Sequence, residues 1–321
     1  MLGLEIQTSS NRLDTLCESS PVPLRASSVL IYGLSGLGAE VTKNLMLCGL
    51  KAVVLMDERN VDTNDQLSNF LLAEDSLGKN RAVQSSQKAQ ALNPMVSFLV
   101  EECSIEDKNE KYIEQFSLVV FLDQNYDIVG KWNEKCRKLR IGFIAGSVFG
   151  WTGYSFFDFN RHLFLVKAEK RESAMLDVDR TIDPNEGMDT IEEDCYEKRI
   201  LEYPSYTEAF NVDWTSKKLI KKSRRLLPFS YFPIKAILRA QQESKLTNSQ
   251  QEDIASILEI WREEVLKCNH TEEDQSVNSD QFDYFFGPQL SAVCAIVGGI
   301  IGQEAIKNTG LLTPYLNSLT I

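Results

Sequence analysis

Metal-ligating side chains are scarce in this sequence of 321 residues. It has two histidines, His162 and His270, and seven cysteines, among which no C-x-x-C pair occurs. Structural zinc sites use closely spaced cysteines and histidines, so we expect no metal centre in this chain. An odd number of scattered cysteines also suits reduced thiols inside a cell. The cysteines are Cys17, Cys48, Cys103, Cys136, Cys195, Cys268 and Cys294.

Positive charge and long apolar runs are also in short supply. The chain has 34 basic and 46 acidic residues, a net charge of −12, which argues against a nucleic-acid-binding surface. No apolar run reaches the roughly 18 to 20 residues that cross a bilayer, so we expect no membrane partner. Residues 1–14 lack the basic start and apolar core of a secretory signal. We therefore expect a globular protein of the nucleus and cytoplasm.

Short apolar runs rich in β-branched residues alternate with amphipathic segments in the first half of the chain. This alternation is typical of buried parallel strands connected by helices on both faces of a sheet. The predicted strands span residues 28–32, 52–56, 95–100, 118–122 and 141–145, and the predicted helices span 39–48, 78–92 and 127–139. The fold class is therefore α/β, with a Rossmann-like, doubly wound, mainly parallel sheet.

The alternation stops near residue 167, where the composition becomes polar and charged. Residues 177–197 are acidic, and helical patterns return at 236–239 and 252–265. A last helix rich in small residues is predicted over 289–307. We interpret residues 1–166 and 282–321 as two parts of one domain, and residues 167–281 as an inserted, mainly helical subdomain with an acidic loop.

A glycine-rich loop follows the first predicted strand and opens the first predicted helix. Its glycines are Gly33, Gly36 and Gly38, and Asp57 ends the next predicted strand. Glycine allows a phosphate to approach the backbone, a helix start favours an anion, and an acid in this position accepts a hydrogen bond from a ribose hydroxyl. The other interpretation is that these glycines only permit close strand–helix packing. The sequence alone leaves both open.

The spacing G-x-x-G-x-G differs from the usual dinucleotide pattern G-x-G-x-x-G. With the stretches "DERNV", "TNDQLSNF" and "LGKNRA" that follow, it resembles the adenylate-forming activating enzymes for ubiquitin-like proteins and their bacterial relatives. That resemblance implies a nucleotide-binding ancestry for residues 28–100. It also implies which residue types an active member needs at each motif position.

Several of those positions carry other residues here. Asp57 keeps the first acid of the family's D-x-D motif, but Arg59 stands at the second and Asp65 at the motif asparagine. Ser68 stands at the family arginine and Arg81 at the family lysine, the two cations that hold triphosphate oxygens in active relatives. Losing a cation and changing the reach of another weakens transition-state stabilisation. We therefore expect a degenerate nucleotide loop that holds no nucleotide.

One acid of the family's metal site is retained. Asp123 follows a predicted strand at the position where relatives hold magnesium through an aspartate. A single carboxylate does not make a metal site, and an aspartate at a strand end more often caps a helix. Our expectation is therefore that this chain binds no metal.

Longer stretches narrow the resemblance to one branch of the family. The stretches "GSVFGWTGYSFFDF" and "AVCAIVGGIIGQEAIK" resemble the non-catalytic first subunits of heterodimeric activating enzymes, those for SUMO more than those for NEDD8. The resemblance implies that ATP, magnesium and the catalytic cysteine belong to a partner subunit, and that the pair activates SUMO. No cysteine here is predicted to be catalytic. Cys48 and Cys294 are expected in the core, and Cys136 is expected at a solvated helix position.

The chain departs from the family pattern in two places, and other hypotheses stay open. The opening residues 2–7 resemble only the end of the family's first segment, whose arginine reaches the partner's ATP, and residues 309–321 lack the family's phenylalanine-rich closing strand.

A self-sufficient adenylating enzyme is a second hypothesis, which Ser68 argues against. An NAD(P) oxidoreductase is a third, which the glycine spacing argues against. The basic run at 217–225 is either an import signal or a solvated helix face.

Overall fold

A computed structural model describes most of the chain. The described residues are 24–167, 196–214, 219, 227–228, 230–243, 250–267, 284–308 and 319–320. Cys17, Cys195 and Cys268 lie outside them, as do most of the acidic loop and of the basic run at 217–225.

A seven-stranded sheet of order β3-β2-β1-β4-β5-β6-β9 forms the centre of the molecule. Strands β1 to β5 pair in parallel, and β6 and β9 add antiparallel pairs at one edge. The predicted doubly wound, mainly parallel sheet is therefore confirmed. The strands are β1 Ser28–Tyr32, β2 Ala52–Met56, β3 Ser97–Glu101, β4 Leu118–Leu122, β5 Gly142–Phe149, β6 Thr152–Asp158, β7 Arg161–Lys167, β8 Tyr196–Glu202 and β9 Leu319–Thr320.

Helices cover both faces of this sheet. One face packs against α1, α3 and α9, and the other against α5, α6 and α7, each through its own apolar cluster. The helices are α1 Gly36–Leu47, α2 Thr63–Ser68, α3 Arg81–Leu92, α4 Glu110–Ile113, α5 Tyr126–Leu139, α6 Tyr206–Phe210, α7 Tyr231–Gln242, α8 Gln250–Lys267 and α9 Ser291–Asn308. This winding brings the carboxyl ends of β1, β2 and β4 to one edge, where α1 begins.

The antiparallel edge of the sheet was not part of the sequence-based expectation. Strand β5 extends past residue 145 to Phe149 because it forms a hairpin with β6, which the sequence did not predict. Gly150 makes that turn with a φ of 53°. At the same edge, Leu319 and Thr320 pair with β6 as the short strand β9, although residues 309–321 lack the phenylalanine-rich closing strand of the family.

The described parts of residues 167–281 are mostly helical, as predicted. Helix α7 packs on two sides: Ile234 and Leu238 join the apolar cluster under the sheet, whereas Phe232 and Ile237 join a third cluster with α8. Strand β8 pairs with β7 outside the main sheet. The domain boundaries themselves stay a prediction.

The contact between α7 and α8 is held by a buried carboxylate. Glu264 lies 2.8 Å from Lys235 Nζ, 2.9 Å from Arg239 Nη1 and 3.0 Å from Lys267 Nζ. Burial alone works to raise the pKa of Glu264, but Lys235 and Lys267 outweigh it and lower the pKa to about 2. The carboxylate therefore contributes to stability in its charged form.

We expect Glu264→Gln to lower the free energy of unfolding by roughly 3 kcal/mol at pH 7. A folded pKa below the ordinary value of 4.5 gives stability that is present above pH 4.5 and lost as the pH falls toward 2. The free energies of unfolding of the unchanged protein and of Glu264→Gln, both measured in urea, should therefore converge as the pH falls through that range. Glu263→Gln is the control, since Glu263 is half exposed and should cost under about 1 kcal/mol. A pH-independent gap would contradict this explanation.

Candidate functional site

The predicted site residues meet at the carboxyl edge of the sheet. The chain leaves β1 at Gly33 and enters α1 at Gly36, while Asp57 follows β2 and Asp123 follows β4. Ser35 caps α1 and donates its hydroxyl to Asp123, so the loop and Asp123 are joined directly. The glycine loop, Asp57 and Asp123 therefore lie at one edge of the sheet. What each one contacts decides what the edge can bind.

The glycines are in close contact with other parts of the protein. A Cβ on Gly33 would lie 2.1 Å from Leu122 O, and one on Gly38 would lie 2.2 Å from Gly33 O. A Cβ on Gly36 would lie 2.5 Å from the Ser68 side chain. Glycine is therefore required at all three positions by strand–helix packing, without any ligand. Of the two interpretations left open by the sequence, this geometry favours packing.

Two amide groups at the start of α1, those of Leu37 and Gly38, have side-chain acceptors within the protein. The Gly38 N–H donates to Ser35 Oγ at 3.5 Å, and the Leu37 N–H donates to Gln289 Oε1 at 3.3 Å. The Leu34 N–H, in the loop before the helix, donates to Asp57 Oδ2 at 2.6 Å. A helix start binds a phosphate through such N–H groups, and here side chains of the chain itself accept from them.

Asp57 is fully buried, and both of its oxygens are engaged. Oδ2 accepts from Leu34 N–H and from Arg81 Nε at 3.0 Å, and Oδ1 accepts from Arg59 N–H at 2.9 Å. Arg59 adds a second contact, with its Nε 3.5 Å from Oδ1. A carboxylate with these partners and no exposed surface is not available to a ribose hydroxyl.

Arg81 lies between two buried carboxylates. Its Nε and Nη2 are each 3.0 Å from Asp57 Oδ2, and its Nη1 donates to Asp65 Oδ1 at 3.0 Å. Only 6% of Arg81 is exposed. Burial works to lower the pKa of Arg81, but the charges of Asp57 and Asp65 outweigh it and raise the pKa. Burial raises the pKa of Asp65, and Arg81 offsets part of that shift.

These contacts determine whether the residues at this edge could hold ATP and magnesium. The only cation at the two family positions, Arg81, is neutralised by Asp57 and Asp65, and Ser68 carries no charge. An arginine at a phosphate site must point its donors at the ligand, whereas Arg81 directs Nε at Asp57 and Nη1 at Asp65, and its Nη2, 3.0 Å from Asp57 Oδ2, is buried without a hydrogen bond. The residues at this edge therefore do not fit a bound triphosphate.

Asp123 has protein partners as well. Its Oδ2 accepts from Ser35 Oγ and from Gln289 Nε2 at 2.9 Å, and its Oδ1 accepts from Val148 N–H at 3.2 Å. The interpretation of Asp123 as a helix cap is wrong. Ser35 caps α1, and Asp123 accepts a hydrogen bond from the Ser35 hydroxyl. Within the described residues, no three histidine, cysteine or acidic side chains come together as a possible metal site.

The described cysteines have a low tendency to ionise. Burial raises the pKa of Cys48 and Cys103, raises that of Cys136 further, and raises that of Cys294 to about 12. The core position expected of Cys294 is confirmed. The solvated position expected of Cys136 is wrong, because it is fully buried, and Cys48 is only half-buried. A nucleophilic cysteine needs the opposite shift.

Comparison with known proteins agrees with this fold and edge. The sequence model of the ThiF family matches residues 9–317, so the chain belongs to the ThiF family. It is 40% identical to the SUMO-activating enzyme subunit aos-1 of Caenorhabditis elegans over 89% of this chain and 84% of that protein. It is 35% and 34% identical to SUMO-activating enzyme subunit 1 of Bos taurus and Homo sapiens, over 92% of this chain and 85% of each relative. The resemblance predicted from the sequence is confirmed.

Proposed function

We propose that this chain is the non-catalytic subunit of a heterodimeric SUMO-activating enzyme. The observation that carries the proposal is Arg81, which stands at a nucleotide-binding position yet is buried between Asp57 and Asp65. ATP, magnesium and the catalytic cysteine then belong to the partner subunit, which adenylates SUMO and forms its thioester. The names of the related proteins support SUMO as the modifier. The glycine loop, whose donors are bonded within the protein, supports the non-catalytic subunit.

An apolar surface on α9 supports a partner subunit. Ile296 is 65% exposed, and Ala292, Ala295 and Gly299 are exposed beside it on the same helix. Leu67, in α2, is 68% exposed and lies beside the start of α9, because Ser291 Oγ donates to its carbonyl oxygen. We call Ala292, Ala295, Ile296 and Gly299 the α9 face. Its small residues allow the partner's backbone to approach closely.

ATP–pyrophosphate exchange with SUMO and magnesium tests the function. The chain alone should give no exchange, and the chain mixed with the catalytic subunit of a SUMO-activating enzyme should give exchange. Exchange by the chain alone would instead favour a self-sufficient adenylating enzyme. If the mixture gives no more exchange than the catalytic subunit by itself, the supporting role is wrong.

Ile296→Asp tests the partner surface. A charge in the centre of an apolar interface should raise the Kd for the catalytic subunit about 30-fold, the effect of a typical interface hot spot. Leu266→Asp is the matched control, since Leu266 is 63% exposed on α8, and it should leave that Kd unchanged. Titration calorimetry with the catalytic subunit gives both values. Equal effects from the two variants would rule out the α9 face.

The remaining parts of the proposal concern location and other partners. We propose a location in the nucleus and cytoplasm, without nucleic acid or membrane partners, and the net charge of −12 supports the absence of nucleic acid. Among the described helices, none is both long and apolar enough to cross a bilayer. Imaging of the tagged chain, with and without the run at 217–225, tests the location.

A further inference from the structure

Gln289 lies just before α9 and reaches across to the glycine loop. Its Oε1 accepts from the Leu37 N–H at 3.3 Å. Its Nε2 donates to Asp123 Oδ2 at 2.9 Å and lies 3.3 Å from Val148 O. The Cys294 thiol is 3.7 Å from Oε1. One side-chain amide therefore joins α1, β5, the end of β4 and the start of α9.

The chemistry of this amide matches what a nucleotide loop offers to a ligand. The start of α1 presents N–H donors and the positive end of a 12-residue helix, both of which favour an oxygen acceptor. An amide oxygen supplies that acceptor, and the amide nitrogen supplies two donors that a phosphate lacks. Those donors satisfy Asp123 and the Val148 carbonyl, two acceptors that a phosphate would leave unpaired or would repel.

We propose that Gln289 is an internal plug of the degenerate nucleotide loop, seated where an anion would bind at the start of α1. The plug accounts for the retention of the loop in a chain that does not hold a nucleotide. With Gln289 bonded there, the start of α9 is held at the position where an anion would bind. This inference concerns the chain's own residues, and it stands whether or not the proposed SUMO function holds.

The contacts that follow along α1 and α9 agree with a docking role. Gly298 and Gly302 face α1 so closely that a Cβ on them would lie 2.7 Å from Glu40 Cβ and 2.8 Å from Asn44 Cβ. The Asn44 side-chain amide donates to Gly298 O at 3.0 Å. Gln289 is therefore the first of a line of contacts that hold α9 against α1.

The negative charge of Asp123 has to be considered in any test. Removal of Gln289 alone leaves this carboxylate near the freed Leu37 N–H, where it repels an anion. A fair test therefore compares Asp123→Asn with the double variant Asp123→Asn/Gln289→Ala. Both lack the charge, and only the second lacks the plug.

Inorganic pyrophosphate without metal is the probe, and the thermal midpoint is the readout. The double variant should melt below Asp123→Asn in the absence of the probe. At a pyrophosphate concentration ten times its Kd, the Tm of the double variant should rise by about 3 °C, and that of Asp123→Asn and the unchanged protein should not move. A purely structural role for Gln289 would lower the Tm without creating any response to the anion.

Two results would overturn the plug. One is a response of the unchanged protein to pyrophosphate, which would show that the loop is open. The other is a folded double variant that does not respond. If the double variant does not fold, amide hydrogen exchange in Gln289→Ala decides: Leu37 should exchange at least tenfold faster while Val53, in the sheet, is unaffected. Unchanged protection of Leu37 would reject the plug. Gln303→Ala, at an exposed position of α9, is the control.

Discussion

Arg81→Met should lower the free energy of unfolding by about 3 to 5 kcal/mol, the usual cost of removing one member of a buried ion network. Methionine fills most of the space but leaves Asp57 and Asp65 without their shared cation. Asp57 keeps two backbone donors, from Leu34 and Arg59, whereas Asp65 keeps only the Asp62 N–H. Urea unfolding at pH 7 measures the loss.

The pH dependence identifies the cause of this loss. Without Arg81, burial should raise the pKa of Asp65 further above its ordinary value. A raised folded pKa means that the penalty is present above that pKa and relieved as the pH falls through it, so the deficit of the variant should shrink between pH 7 and pH 5. A deficit that stays constant over this range would instead indicate lost packing.

A neighbouring cation provides the control for Arg81. Lys79 pairs with Asp75 at 3.0 Å, but its side chain is 49% exposed and that of Asp75 is 81% exposed. Exposed pairs contribute little to stability because water and salt screen them, so Lys79→Met should be close to neutral at every pH. The contrast separates the buried network from general effects of removing a positive charge near the start of α3.

Local pattern predicted β1, β2 and β4 well because these strands are short and mostly buried. The bounds of β1, β2 and β4 were predicted to the residue, since continuous apolar runs end where the loops begin. Strand β6 was missed because it is defined by its hairpin with β5. Pairing across a turn is a tertiary contact that a one-dimensional pattern does not encode.

Cys136 shows a signal that the sequence contained and that was misread. Its neighbours in "NEKCRK" are charged, which suggested a solvated position. Helical spacing places it with Val129, Trp132 and Asn133 on one face of α5, and that whole face is buried. The helical period was a better guide to burial than the flanking residues.

The partners of the site residues had no such signal. Gln289 is 252 residues from Leu37 along the chain, and Arg81 is 24 residues from Asp57. The sequence singled out the loop, Asp57 and Asp123, and the converging carboxyl ends of the parallel strands bring them to one edge. Which donor reaches which acceptor depends on the packing of α3 and α9.

Gly33→Ala should be as damaging as the loss of Arg81, costing 4 kcal/mol or more or preventing folding, since these are the effects of a forced clash added to backbone strain. The φ of Gly33 is 105°, which a residue with a Cβ rarely adopts. The added Cβ would also lie 2.1 Å from Leu122 O, a backbone atom of the central strand that has little room to move. Soluble yield and urea unfolding measure the effect.

Gly49→Ala separates the two causes of that cost. Gly49 also has a positive φ, of 74°, but nothing lies within 4 Å of its Cβ position. The strain alone should cost about 1 kcal/mol, so the excess at Gly33 measures the contact between the loop and β4. Similar costs at the two positions would mean that the loop can move away from β4. The loop would then retain room for a ligand, and packing alone would no longer explain why its glycines are needed.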